Sequence, residues 1–328
     1  MVSDRDLAVE VGELTKRYDS LTAVDGISFS IARGEVFGLL GPNGAGKTTT
    51  INMLTGLARP NSGTIRIGGV ECTTNPKAAQ HLTGVVPDES NLYPELTGFE
   101  NLTFCAALYG MRRAERQAQA RELLERFGLA EAAGRKFAGY SKGMKRKLTI
   151  AAGIIHRPPI LFLDEPTTGI DVASARQIRQ LIADLHRLGT TILLTTHYIE
   201  EAERLCERIA FIVFGRIVRN DTVVDLMQPV QDRHVILLSM CDGGPSLCEQ
   251  LAAAFDRLDF QALPGGQVRV ESTEPIRVGP LVRFLEDRGV EVTEARKLRP
   301  SLEDVFVQIT GIEADALRKE KERAGSGR

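Results

Sequence analysis

The chain's clearest chemistry lies in eight consecutive residues, Gly41-Pro42-Asn43-Gly44-Ala45-Gly46-Lys47-Thr48. Glycines let a main chain fold so closely that successive N–H groups converge on one point, which makes a cradle for phosphate oxygens. Lys47 adds a full positive charge suited to β- and γ-phosphates. The hydroxyl of Thr48, with Thr49 beside it, is of the kind that ligates Mg²⁺. An apolar run at 36–40 reads as a buried strand entering this loop, and a helix starting near Gly46 adds its positive dipole end. The segment predicts nucleotide binding. It does not say which chemistry follows, because kinases, GTPases and motor ATPases share such a loop.

A second apolar run, 160–163, delivers Asp164 and Glu165 at its carboxyl end, where open α/β sheets gather their ligands. Asp164 suits a metal, directly or through water. Glu165 can face a terminal phosphate and take a proton from an attacking water. No Asn-Lys-x-Asp sequence occurs anywhere in the chain. A guanine-nucleotide reading therefore loses ground.

The glycine-rich segment 41–48, followed in order by Tyr140-Ser141-Lys142-Gly143-Met144, Asp164-Glu165-Pro166-Thr167-Thr168-Gly169-Ile170-Asp171 and His197, resembles the motif set of ATP-binding cassette ATPases. The resemblance covers residues 7 to about 226 and implies ATP and Mg²⁺ as ligands. It implies that Tyr18 stacks on adenine, that residues 41–49 hold phosphate and metal, that Glu165 is the general base and that His197 contacts the γ-phosphate. Ser141 and Gly143 would present a helix N-terminus to ATP bound on a second copy or a paralogous cassette, and Asp171 would lie in a loop crossing to that subunit. Two motifs depart from the family pattern. Lys142 and Met144 replace the third and fifth residues of Leu-Ser-Gly-Gly-Gln, with Tyr140 at the first. Asp88, in Val85-Val86-Pro87-Asp88-Glu89, stands where the family has glutamine. Its carboxylate can still offer oxygen to Mg²⁺ or to a catalytic water, but it cannot donate a hydrogen bond when ionised.

The elements needed to hold these residues are those of an α/β P-loop cassette at 1–227: a mainly parallel sheet, an N-terminal antiparallel β subdomain, and a helical insert at about 97–155. Strands are expected at 7–15, 27–31, 36–40, 160–163, 191–194 and 209–213, with a helix over 173–188. Gln228-Pro229 reads as a linker into a small α+β domain at 231–311. There strands at 234–240, 267–271 and 290–295 and helices at 245–258, 276–288 and 301–309 suggest a split βαβ arrangement. The charged segment 312–328 reads as a disordered tail.

Lys+Arg number 41 against Asp+Glu 43, a net charge of -2, so the chain lacks the basic footprint of a nucleic-acid binder. The five cysteines are scattered, without metal-site spacing, which fits a reducing cytosol. No apolar run approaches the roughly 20 residues that cross a bilayer. The resemblance, together with Pro300-Ser301-Leu302-Glu303-Asp304-Val305-Phe306, implies the ATPase of a drug or lipid exporter, working on the cytoplasmic face of the membrane through a separate integral-membrane permease. The alternative is a soluble cassette ATPase of translation or DNA maintenance, which would carry two cassettes or a long coiled-coil insertion.

Overall fold

The computed structural model describes residues 7–231, 233–240, 245–298 and 301–312, and the chain separates into two compact units, one that ends at Val223 and resumes at Ile309, the other Val224–Gln308. The expected tail at 313–328 lies outside the described residues. In the first unit, the alternating segments β1 (Leu7–Tyr18) and β2 (Leu21–Ala32) form a long antiparallel hairpin. With β4 (Ser62–Ile67) and β5 (Val70–Glu71) they make a four-stranded antiparallel sheet.

The short apolar runs become the inner strands of a second sheet. Its order is β10-β9-β3-β8-β7-β6, from β3 (Val36–Leu40), β6 (Thr83–Val86), β7 (Ile160–Asp164), β8 (Thr191–Thr196), β9 (Arg208–Val213) and β10 (Arg216–Thr222). All pairings are parallel except the β9–β10 hairpin. Every residue of β3, β7 and β8 is buried, as expected of strands covered on both faces. Helix α1 (Lys47–Leu54) lies in one core with both sheets: Ile51 and Leu54 join Val9 and Ile65 of the first and Phe162, Leu193 and Ile212 of the second. The phosphate-loop helix is therefore clamped from two directions.

The helical insert contains α2 (Gly98–Leu108), α3 (Arg113–Arg126) and α4 (Lys142–Gly153). A capping box starts α2: Thr97 accepts from the Glu100 N–H, and Glu100 accepts from the Thr97 N–H at 2.8 Å. Helices α5 (Val172–Arg187) and α6 (Ile199–Leu205) complete the unit.

The second unit begins with α7 (Val223–Gln231), which corrects the expected linker. Pro229 lies inside that helix, whose Leu226 and Val230 are buried, so an apolar face carries the helix past its proline. Strands β11 (His234–Met240), β12 (Asp259–Leu263), β13 (Gln267–Ser272) and β14 (Val292–Leu298) pair antiparallel in the order β12-β13-β11-β14, a split βαβ arrangement. Leu247 and Leu251 of α8 (Pro245–Ala254) and Leu281 and Leu285 of α9 (Val278–Glu286) cover Ile236, Leu238, Val268 and Val270. The helix expected over 245–258 stops at Ala254, and β12 was not anticipated. The sign of it is Gly265-Gly266, at φ 79° and 73°, closing the β12–β13 hairpin. Helix α10 (Leu302–Thr310) is the last element of the described chain. Asp304 accepts from the Ser301 N–H at 2.9 Å and from Arg269 of β13 at 2.8 Å.

Candidate active site

The loop from Gly41 to Thr48 leaves β3 at the carboxyl end of the parallel strands and enters α1. A side chain on Gly41 would stand 2.1 Å from the Ile212 carbonyl oxygen, and one on Gly46, at φ 103°, would stand 2.5 Å from that of Ala23. These two glycines are required by close approach. Lys47 is buried and its ammonium donates to the carbonyls of Gly41 at 2.8 Å and Pro42 at 3.1 Å, so it curls back over the loop it follows. Thr48 is exposed and Thr49 partly so, on the first turn of the helix.

Asp164 ends β7 with its carboxylate buried, accepting from the Thr195 hydroxyl on the neighbouring strand. Glu165 follows at φ 48°, a left-handed conformation that is rare outside glycine and signals constraint. Its carboxylate is nearly inaccessible. Oε2 accepts from Thr168 Oγ1 at 2.9 Å and lies 2.8 Å from His197 Nδ1. Oε1 makes no hydrogen bond among the described residues but faces the Lys47 ammonium at 3.2 Å. Burial pushes this carboxyl up, yet the His197 ring, the Lys47 charge and the Thr168 hydroxyl outweigh it and hold the pKa at about 2. Glu165 is therefore ionised at neutral pH. An ionised acceptor at Nδ1 fixes the proton of His197 there and leaves Nε2 for another partner.

Ser141 caps α4, accepting from the Met144 N–H at 3.2 Å, and is exposed. Tyr140 is buried and donates its hydroxyl to Ala132 O at 2.7 Å, fixing this cap to the insert. Gly143 packs against the start of α5: a Cβ there would meet Ser174 Oγ at 2.2 Å. Asp171 caps α5, accepting from the Ser174 N–H at 2.9 Å, an ordinary structural task for a residue expected in an intersubunit loop. Tyr18, 45% exposed at the end of β1, has the Lys16 ammonium 4.8 Å over its ring.

A family profile described as ABC transporter matches residues 24–168, which span the phosphate loop, the capped helix α4 and both carboxylates. The Nod factor export ATP-binding protein I of Paraburkholderia xenovorans is 39% identical over 94% of this chain and 98% of its own length. The chain belongs to the ABC transporter ATP-binding proteins. The linearmycin resistance ATP-binding protein LnrL of Bacillus subtilis is 42% identical over 71% of this chain and 75% of its own. Among solved structures, the dimeric post-hydrolysis state of the ATP-binding cassette MJ0796 bound to ADP and Pi aligns with a TM-score of 0.61 at 28% identity, covering 66% of this chain and 98% of that one.

In this ABC ATP-binding subunit, the oxygens that could hold Mg²⁺ are the Thr48 hydroxyl and the Asp164 and Asp88 carboxylates, hard donors that fit that ion. No cluster of three or more acidic, histidine or cysteine side chains forms among the described residues. Asp88 itself is half exposed, with burial and the nearby Asp164 and Glu165 charges raising its pKa against the opposing pull of Arg146.

Three side chains around this site escaped sequence reading. Arg146 is buried, donating to main-chain carbonyls on both sides of the site. Thr195 donates to Asp164 and accepts from the Glu165 N–H at 3.1 Å. Glu201 is buried, accepting from Thr167 at 2.6 Å, and burial raises its pKa. The adjacent Thr167-Thr168 pair, one residue serving each glutamate, is the local signal that was available.

Proposed function

We propose that this subunit binds and hydrolyses Mg-ATP, and that a pair of copies closing on two ATP molecules drives export through a separate membrane permease. One observation carries the reading: Glu165, ionised and nearly inaccessible, lies between the Lys47 ammonium and the ring of His197. The γ-phosphate competes for Lys47. As Lys47 turns to phosphate, Glu165 loses one of the charges that hold its pKa down and becomes a better base toward a water between it and the phosphate. His197, oriented through Nδ1, turns Nε2 to the γ-phosphate. Mg²⁺, when bound, neutralises phosphate charge. Thr48, Asp164 and Asp88 orient it, residues 41–49 wrap the phosphates, and Tyr18 stacks on adenine. Ser141 and Gly143 of the second copy cover the γ-phosphate, with Asp171 near the same seam.

Support for the export role comes from relatives whose names specify drug resistance and Nod factor export. No helix among the described residues is long and apolar enough to cross a membrane. Tyr93, Phe104 and Leu108 are large exposed apolar side chains in and beside α2, the insert expected to receive the permease. The decisive experiment combines gel filtration with Mg-ATP and a phosphate-release assay. Glu165→Gln should bind ATP, accumulate as a dimer and release phosphate at least about 100-fold more slowly. Retention of more than a tenth of wild-type turnover moves the base elsewhere, with Asp88 first in line.

A further inference from the structure

The Arg146 guanidinium sits between two segments that the reaction must keep in step. Its Nε donates to Pro166 O at 2.9 Å and Nη2 to Asp164 O at 2.8 Å and to Glu165 O, all at the end of β7. Nη1 donates to Asp88 O at 3.0 Å and to Pro87 O, in the loop after β6. The Asp88 carboxylate stands 3.8 Å from Nη2. One turn further along α4, Thr149 donates to Ser90 Oγ at 2.8 Å, so the same helix grips this loop twice. A charge this buried is retained at a desolvation cost, and no carboxylate makes a direct hydrogen bond to it.

We propose that Arg146 is a positioning residue for ATP hydrolysis: its guanidinium fixes the Pro87–Asp88 loop to the main chain of Glu165, so that displacement of the loop displaces the base. The inference rests on the function proposed above. Its physical basis is geometry. The planar guanidinium presents five donors in a rigid fork and can hold carbonyls on opposite sides, whereas a lysine ammonium at the same depth has three donors on one atom. Because the loop leads through Tyr93 into α2, movement of the insert reaches Glu165 through contiguous contacts, and α4 carries the Ser141 cap on the same rigid element.

The chain contains no tryptophan, so Tyr93→Trp supplies a single reporter on the loop. In that protein, Mg-ATP should shift the emission. Adding Arg146→Lys should remove most of the shift and lower kcat about tenfold or more, while KM and the affinity for a fluorescent ATP analogue stay within about threefold. A lysine variant keeping both the shift and turnover overturns the proposal. Equal loss of affinity and turnover also overturns it, by making Arg146 a general support of the fold. If the lysine variant does not fold, or the reporter is silent, hydrogen exchange on the wild-type chain decides: amides of 88–92 and 165–168 should gain protection together on adding a non-hydrolysable ATP analogue, and independent responses refute the tie. Wild-type protein that binds no ATP removes the underlying reading instead.

Discussion

At the scale of single residues, the site is organised around two neighbouring carboxylates held by different partners. Asp164 leans on the Thr195 hydroxyl, while Glu165 depends on Lys47, His197 and Thr168. Neighbours so differently placed should fail differently. Asp164→Asn should weaken Mg²⁺-dependent nucleotide binding and trap no dimer on gel filtration, in contrast to Glu165→Gln. A trapped Asp164→Asn dimer would transfer the base role to Asp164. Glu165 also titrates with folding. Its pKa falls from the ordinary 4.5 to about 2 in the folded chain, so between those values the unfolded chain binds the proton more readily. The stabilisation is complete above 4.5 and drains away as pH falls towards 2. Its full size is on the order of 3 kcal/mol. Denaturant melts of the wild type against Glu165→Gln should show a gap at pH 6 that narrows through this window, and a constant gap would contradict the ion pair. Most of these residues were legible, because the phosphate loop and the strand-end carboxylates are contiguous in sequence. Arg146 was not: a basic residue among Lys145 and Lys147 looks solvated until the fold brings carbonyls from residues 87 and 88 and from 164 to 166 around it.

At the scale of elements, the sequence disclosed what periodicity and turn chemistry encode. Apolar runs announced β3, β7 and β8. Helix α7 and strand β12 were misread, because Pro229 argues against a helix locally while buried Leu226 and Val230 favour one, and β12 has few apolar residues. Packing between elements supplies two predictions. The first concerns His156, just beyond α4, whose ring stacks on Tyr109 with centroids 3.5 Å apart and accepts no hydrogen bond at its buried Nδ1 among the described residues. Burial lowers its pKa from 6.5 to about 4, against the pull of the Thr83 carbonyl and with His81 adding to the fall. The unfolded chain therefore binds the proton first, and stability conferred by the neutral ring is lost as pH drops from 6.5 to 4. His156→Gln should flatten that part of the stability curve, and an unchanged slope would place the ring in solvent. The second concerns Gly143→Ala, whose new methyl would overlap Ser174 and push apart the starts of α4 and α5. It should lower Tm by several degrees, consistent with about 1–3 kcal/mol for overpacking. Adding Ser174→Gly should restore most of the loss, which differential scanning fluorimetry can measure.

At the scale of the whole molecule, the proposed function requires a second cassette and a membrane partner, and the two requirements can be separated. Dimerisation follows mass action, so the trapped Glu165→Gln dimer should dissociate on dilution, as sedimentation can record. On the function proposed above, capture of the permease depends instead on the insert. Leu108 is 71% exposed, more than an isolated core-forming leucine would be. Leu108→Glu should abolish co-purification of a membrane protein from detergent extracts while circular dichroism stays unchanged. Capture at wild-type yield would move the docking face away from α2. The second unit has its own apolar core beneath a four-stranded sheet, which residue order made readable as α+β, although nothing in that order says what the unit recognises.

The left-handed backbone at Glu165 bears on how such a subunit changes over evolutionary time. Glycine, asparagine and aspartate enter that conformation more easily than glutamate, and β-branched residues hardly at all. Mutational drift at this position therefore has a preferred direction, toward short side chains that relax the chain but no longer span the distance to Lys47 and His197. A duplicated copy released from hydrolysis, but still selected to bind ATP, should lose its glutamate there early while its phosphate loop persists.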